Sequence, residues 1–328
     1  MGKKPSITEI SRLSGVSIAT VSRIINQNGR FSKETENRVR EVMQKLNYSP
    51  NMVAKSMRNQ RMPVVGIIVP DILYEPAGLF VRAAQQRLSH YGYTAAFFNT
   101  RQNTELTLQF IDLMKAQCAA GFLIIPDCTL DCTCFHDTHV IYIWEKPGLP
   151  DGQAYSLLKF DYCKGGALAA EYLLKEGCKK IAFIGDNGKY SSQAELFGSF
   201  RRALKQAGHD FDPQLHFPVD LLKTTAGIAC LEERLLKNGL QFDGIFCGSQ
   251  RLSIALLSVL FKHKISVPDQ VKMIGYGELR MASYELLKFK AISENEEALA
   301  WKAVDALMDQ IQNGAALPQT LSLDVQLV

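Results

Sequence analysis

The chain has 328 residues, 47% of them hydrophobic, and a formal net charge of +4. That is enough apolar material for more than one core, so two or three domains are expected. No run of eighteen apolar residues occurs and the start, MGKKPSITEI, holds no apolar stretch, which argues against a membrane span and a secretory signal and for the cytoplasm.

Eight cysteines lie in apolar or mixed segments without small-domain disulfide spacing, which suits a reducing compartment. The charge is unevenly divided. Residues 1–61 carry 12 Lys and Arg against 4 Glu and no Asp, a balance of +8, which leaves −4 for the remainder. A basic head on an acidic body is the electrostatic footprint of a phosphate-backbone binder, and equally that of a solvated basic face.

The head reads as four short helices. Ser6 to Glu9, SITE, has capping-box form and opens a helix with Ile10 and Leu13 turned inward. Gly15 supplies a tight turn, and Ser17 caps a second helix, Ile18 to Asn26, with Val21, Ile24 and Ile25 on one face and Ala19, Ser22, Arg23 and Asn26 on others. A third helix follows Ser32 and carries Val39, Val42, Met43 and Leu46 at three- and four-residue spacing until SPN breaks it. A fourth stretch, MVAKSMR, leads into a linker at residues 61–63.

Past residue 63 the pattern changes to apolar runs alternating with amphipathic helices. The predicted buried strands are VVGIIVP, YTAAFFN, GFLIIP, VIYIW, KIAFIG, GIFCG and VKMIGYG, with helices between them over 104–117, 164–176 and 194–207. This is an α/β class with parallel sheets. The elements are too many for one ordinary doubly wound sheet, so two similar sheets facing across a cleft are expected.

ITEISRLSGVSIATVSRIIN, followed by FSKETENRVREVMQKLNYSPNMVAKSMR, resembles the DNA-binding head of the lactose/galactose repressor (LacI/GalR) family. The body is similar to that family's periplasmic-binding-protein-like effector domain through VVGIIVPD, DYCKGGALAAEYLLKEG, KKIAFIGD and SVPDQVKMIGYGE. The resemblance implies a helix-turn-helix domain over 1–50, a hinge helix and linker over 51–62, and an effector-binding and dimerisation domain over 63–328. Its two subdomains would be about 63–160 plus 291–319, and 161–290 plus 320–328. It further implies a dimeric, ligand-controlled repressor on a palindromic double-stranded operator, with no cofactor and no enzymatic activity.

Carried over residue by residue, the resemblance puts Ser17, Ile18, Ala19, Thr20, Ser22, Arg23 and Asn26 of the second helix at the DNA. Arg23 is placed to bond a guanine, Ile18 and Ala19 offer apolar contact, and Thr20 and Ser22 meet phosphates. Asn51, Ala54, Lys55 and Met57 fall on the hinge helix. There Met57 replaces the usual wedging leucine and Lys55 the usual preceding arginine.

The effector positions implied by the same resemblance are Tyr74, Glu75, Trp144, Glu145, Asp161, Glu195, Gln250 and Tyr276. Most of them depart from sugar-binding relatives. Trp144 and Glu145 stand where an Asp/Asn-Arg pair is usual, Glu195 replaces an arginine, Ser249 and Gln250 replace Asn-Asp, and Gly277 replaces an aspartate. The replacements are aromatic and acidic, which suits a glycoside or an amine-bearing ligand better than a phosphosugar.

Two alternatives stay open. Cys128, Cys132, Cys134, His136 and His139 could chelate zinc or copper and make the regulator metal- or redox-responsive, although C-x3-C-x-C-x-H-x2-H matches no standard finger. A solute-binding protein would share the body but would need an export signal and has no use for residues 1–61. No nucleophile, base and phosphate-loop set can be assembled for an enzyme, and HExxH and GxSxG are absent from the chain.

Overall fold

The structure, a computed structural model, describes residues 5–25, 29, 31–46, 48, 62–101, 103–126, 130–135, 137–186, 190–219, 232–233, 239–277, 289–314 and 319–328. The chain divides into two units, Met1–Met62 and Pro63–Val328.

Among the described residues of the first unit there are three helices, and each follows a serine. α1 (Ile7–Ser14) starts where the Ser6 side chain accepts from the Glu9 N–H, and it ends at Gly15, whose φ of 67° is the left-handed conformation that costs glycine nothing. α2 (Ile18–Ile25) follows Ser17, which accepts from the Thr20 N–H at 3.2 Å. α3 (Lys33–Lys45) follows Ser32, which accepts from the Thr35 N–H. Ile10, Val16, Val21, Ile24 and Val39 form the shared core, with Val42, Met43 and Leu46 packed on it. Leu13, expected inside, is 48% exposed, and Ser14 is buried in its place. The reason is helical geometry: one turn on from Ile10, the stripe facing α2 and α3 falls on position 14 rather than 13.

The second unit holds two six-stranded sheets. The first is built from β1 (Met62–Val69), β2 (Thr94–Asn99), β3 (Ala119–Ile124), β4 (Val140–Ile143), β5 (Ser156–Phe160) and β11 (Thr320–Leu323), in the order β11-β5-β4-β3-β1-β2. The second is built from β6 (Ile181–Asp186), β7 (His216–Val219), β8 (Gly244–Cys247), β9 (Lys272–Tyr276), β10 (Lys290–Ser293) and β12 (Gln326–Leu327), in the order β12-β10-β9-β8-β6-β7. β12 runs antiparallel to β10, while β6 to β10 pair in parallel throughout.

Parallel strands need crossovers, and helices supply them. α4 (Glu75–His90), α5 (Thr104–Ala116) and α9 (Glu296–Asn313) serve the first sheet, and α6 (Tyr162–Lys175), α7 (Ser191–Gln206) and α8 (Gln250–Lys262) the second. β6 is buried at every position, as a strand covered on both faces must be.

The chain crosses between the sheets three times: after Phe160, after Ser293 and after Leu323. The last two crossings differ from the boundaries expected near 290 and 320. β10 belongs to the second sheet because Ala291 and Ile292 pair with Gly275 and Tyr276, burying Ile292, whereas β11 pairs with β5, Leu321 opposite Leu158. Five of the twelve strands among the described residues, β5, β7, β10, β11 and β12, are not among the apolar runs of the sequence. α6 and α7 pack closely through two glycines. A β-carbon at Gly166 would collide with the Leu196 carbonyl and the Ser199 hydroxyl, and one at Gly165 would stand 2.6 Å from the Tyr276 ring. The close approach at Gly165 lets Tyr276 reach the space between the sheets.

Candidate functional site

On the head, α2 has one buried face, Val21 and Ile24, and one outward face. Ser17, Ile18, Ala19 and Arg23 are exposed, Thr20 and Ser22 half-buried. Ile18 is 48% exposed, so it is not held in the core by α1. The stem of Arg23 runs along Gly29, where a β-carbon would lie 3.5 Å from its Cδ. Ser17 and Thr20 bond through their hydroxyls at 2.9 Å, which fixes the first turn of the outward face. Asn26 and the hinge positions Asn51, Ala54, Lys55 and Met57 lie outside the described residues.

In the body, a cavity of about 750 Å³ lies between the two sheets. Its wall is made where strands end. Pro70 to Tyr74 follow β1, Asn99 closes β2, Trp144 and Glu145 follow β4, Tyr162 opens α6, Tyr276 closes β9 and Glu294 follows β10. This is where open parallel sheets bind ligands, outside the carboxyl ends of their strands. The volume accommodates a molecule of disaccharide or small-drug size.

Trp144 is set by its backbone as much as by packing. Its φ of 67° places it in the left-handed region, uncommon for a bulky residue, while its N–H donates to the Leu158 carbonyl at 2.8 Å. The indole meets Tyr74 and Phe80 edge-on, with ring centres 6.2 and 6.3 Å apart. Among the described residues, three buried polar atoms on the wall have no hydrogen-bond partner: Trp144 Nε1, the Tyr276 hydroxyl and Asn99 Oδ1. Buried polar groups are ordinarily paired, so these three mark places for ligand or water.

Polar links span the cleft. Glu145, after β4, accepts from the Ser191 hydroxyl at 2.8 Å, the Ser192 N–H at 3.1 Å and the Ser192 hydroxyl, so a carboxylate from the first lobe caps α7 of the second. Asp71 pairs with Arg251, whose guanidinium lies 4.8 Å over the Tyr74 ring. Gln250 donates to Glu75 at 2.6 Å. Lys159 of β5 pairs with Glu195 of α7 at 2.5 Å.

Burial dominates the electrostatics. Glu294 lines the cavity and is half-buried, and burial, followed by the charge of Glu296, pushes its carboxyl up to about 8, against a downward pull from the Tyr276 hydroxyl. That hydroxyl lies beside Glu294 without meeting hydrogen-bond geometry. Glu145 is also raised by burial, although the Ser192 and Ser191 donors oppose the shift. Tyr74, Tyr162 and Tyr276 are all held protonated, first by burial and then by the charge of Glu294.

Of the eight expected effector positions, Tyr74, Trp144, Glu145 and Tyr276 line the cavity. The other four do not. Glu195 is taken by Lys159, Glu75 and Gln250 bond each other, and Asp161 caps α6 by accepting from the Lys164 N–H at 2.9 Å. The sequence reading missed Glu294, Tyr162, Asn99, Asp71 and Arg251. The short acidic run SENEE directly after the apolar pair Ala291–Ile292 is the signal that could have pointed to Glu294.

Among the described residues no group of three or more His, Cys, Asp or Glu is placed to hold a metal ion, and Cys128 and His136 lie outside them. Burial pushes the Cys132 thiol up to about 12 and Cys134 up to about 11, which keeps both protonated.

Residues 6–51 match the family described as bacterial regulatory proteins, lacI family, and residues 170–328 match a periplasmic binding protein-like domain. The chain belongs to the lacI family of bacterial regulatory proteins. It is a DNA-binding transcription regulator with a ligand-controlled body. Among its relatives is the transcriptional regulator RegA of Clostridium saccharobutylicum, 26% identical over 292 residues that cover 88% of this chain and 87% of the relative. This lacI-family regulator shares its fold with a lac repressor dimer bound to operator and the anti-inducer ONPF. The TM-score is 0.82 at 19% identity, over 99% of this chain and 98% of that one. It is likewise similar in fold to the transcriptional regulator CelR in complex with cellobiose, with a TM-score of 0.70 at 23% identity over 99% and 98%.

Proposed function

We propose that this regulator is a cytoplasmic repressor that binds a palindromic operator as a homodimer, and that a carbohydrate-like effector in the body cleft controls its hold on the DNA. The observation that carries the DNA half is the outward face of α2, where Ser17, Ile18, Ala19 and Arg23 stand exposed on a head of net charge +8. Arg23 reads a guanine by donating to its O6 and N7, Ile18 and Ala19 touch a thymine methyl, and Thr20 and Ser22 position the helix on phosphates. Asn26 and the hinge residues Asn51, Ala54, Lys55 and Met57 complete the interface, with Met57 as the wedge in the minor groove.

The effector half is supported by a ligand-sized cavity with an aromatic wall and three unpartnered polar atoms. Aromatic faces stack on sugar rings, and the polar atoms suit hydroxyls. The complex of CelR with cellobiose and that of lac repressor with ONPF place small ligands on proteins of this fold. No catalytic step enters this reading.

The test is an operator selected from random DNA with the full-length protein, followed by fluorescence anisotropy. Arg23→Ala should lose about 1–3 kcal/mol per half-site on the selected operator and little on random DNA. Equal losses on both would make Arg23 a phosphate contact and remove the base-reading assignment.

A further inference from the structure

The cleft contains an acid that the sugar-binding reading does not use. Glu294 follows β10 and lines the cavity, and the groups that act on it come from several elements. Glu296, at the start of α9, adds a like charge. The Tyr276 hydroxyl comes from β9; Tyr162, from α6, and Tyr74, from the segment after β1, feel the charge of Glu294 in turn, and Tyr74 also feels Glu145 and Arg251. No lysine or arginine of the described residues acts on Glu294 itself. Of the nearby cations, Arg251 is tied to Asp71 and Tyr74 and Lys159 to Glu195, while Arg101 is an exposed residue of the cavity wall.

A carboxylate walled in this way is costly until a proton or a cation joins it. Tyr74, Tyr162, Tyr276 and Trp144 line the cavity, and aromatic faces attract a cation and repel an anion, as Arg251 over Tyr74 and Lys159 over Tyr162 already show. The neutral orphans, Trp144 Nε1, the Tyr276 hydroxyl and Asn99 Oδ1, call instead for hydroxyls. One ligand chemistry answers both demands.

We propose that the effector is cationic, a hydroxylated ring bearing a protonated amine whose ammonium is held by the Glu294 carboxylate inside the cleft. This rests on the reading of the cavity as the effector site. It has a distinctive proton linkage: below its titration near pH 8 Glu294 carries a proton, which an incoming ammonium must displace. The affinity of an amine therefore rises with pH, by up to about tenfold per unit, as long as the amine stays charged. A neutral sugar accepting a hydrogen bond from protonated Glu294 shows no such rise.

The experiment uses the full-length protein and three matched sets of probes. The amines are glucosamine, its β-linked dimer, galactosamine and mannosamine; the neutral set is glucose, cellobiose, galactose and mannose; the acids are glucuronate and galacturonate. Thermal shift followed by calorimetric titration from about pH 5.5 to about pH 7 reads affinity and slope. Expected are binding by at least one amine in preference to its neutral counterpart, an affinity rising with pH, and loss of tenfold or more of that affinity together with the slope in Glu294→Gln. The slope on the unaltered protein stands even if the variant folds poorly. Tighter binding of a neutral or acidic probe, a flat profile for the amine, or no binding of any amine at millimolar concentration overturns the proposal. Anisotropy on the selected operator, run with the same probes, separates this failure from that of the broader reading. A neutral sugar that alters operator affinity would leave the effector site standing and remove only the amine.

Discussion

The burial of Glu294 makes the stability of the unliganded body depend on pH, and Glu294→Gln isolates that dependence. A glutamate at 4.5 in the unfolded chain and about 8 in the folded one binds more protons when folded throughout the interval between the two values. The sign follows: the contribution to stability is fully present below about pH 4.5 and is lost as pH rises toward 8. At about 1.4 kcal/mol per unit, the whole interval amounts to at most about 5 kcal/mol. Glutamine cannot ionise, so the variant should match the parent near pH 5 and be the more stable of the two above pH 8. Glu145, raised in the same direction by burial, remains in the variant and leaves a smaller residual slope. The assay is urea unfolding followed by tryptophan fluorescence, which reports the body alone because both tryptophans, Trp144 and Trp301, lie in it. Parallel pH profiles for parent and variant would show that Glu294 is solvated in the folded protein, and the electrostatic argument for the cleft would fail.

Two further outcomes follow from the cross-cleft links. Glu145→Gln keeps one acceptor oxygen and turns an NH₂ toward the Ser191 and Ser192 donors, so it should weaken lobe closure by about 2–3 kcal/mol. Small-angle scattering should then show a larger radius of gyration, and an unchanged profile would show that the link does not hold the lobes. Glu195→Gln removes the charge opposite Lys159, a pair only 14% and 26% exposed, and should lower thermal stability by about 1–2 kcal/mol while leaving effector affinity intact. A tenfold loss of effector affinity would return Glu195 to the binding site.

The head was legible because its signals are local. Ser6, Ser17 and Ser32 each accept a backbone N–H three residues ahead, and the apolar spacing of α2 and α3 lies within one helix each. The long apolar strands, such as Met62–Val69 and Ile181–Asp186, announce themselves in the same way. The five missed strands do not. β5 is interrupted by Lys159, β7 contains Pro218, and β11 becomes a strand only by pairing with β5, across most of the body in sequence.

The site divides along the same line. Tyr74, Trp144 and Glu145 follow strands that were recognised and Tyr276 ends one, whereas Glu294 follows one that was not. Glu195 and Asp161 were expected at the ligand because family position carries no information about Lys159, across the cleft, or about the Lys164 N–H one helical turn on.

Closure without ligand and capture of ligand draw on different parts of this wall. The links through Glu145, Asp71 and Glu75 have both partners within the protein, so they favour closure whether or not a ligand is present. Glu294 acts the other way, because closure without a cation deepens the burial of an acid that already carries a like neighbour in Glu296. A ligand shifts a two-state equilibrium only by its differential affinity for the two states. Contacts that the protein completes by itself therefore add nothing to the shift, and the group left incomplete can carry all of it. Ligand control in this cleft accordingly concentrates on Glu294 and the three orphan polar atoms, whereas the cross-cleft links set how far the empty protein already leans toward the closed form.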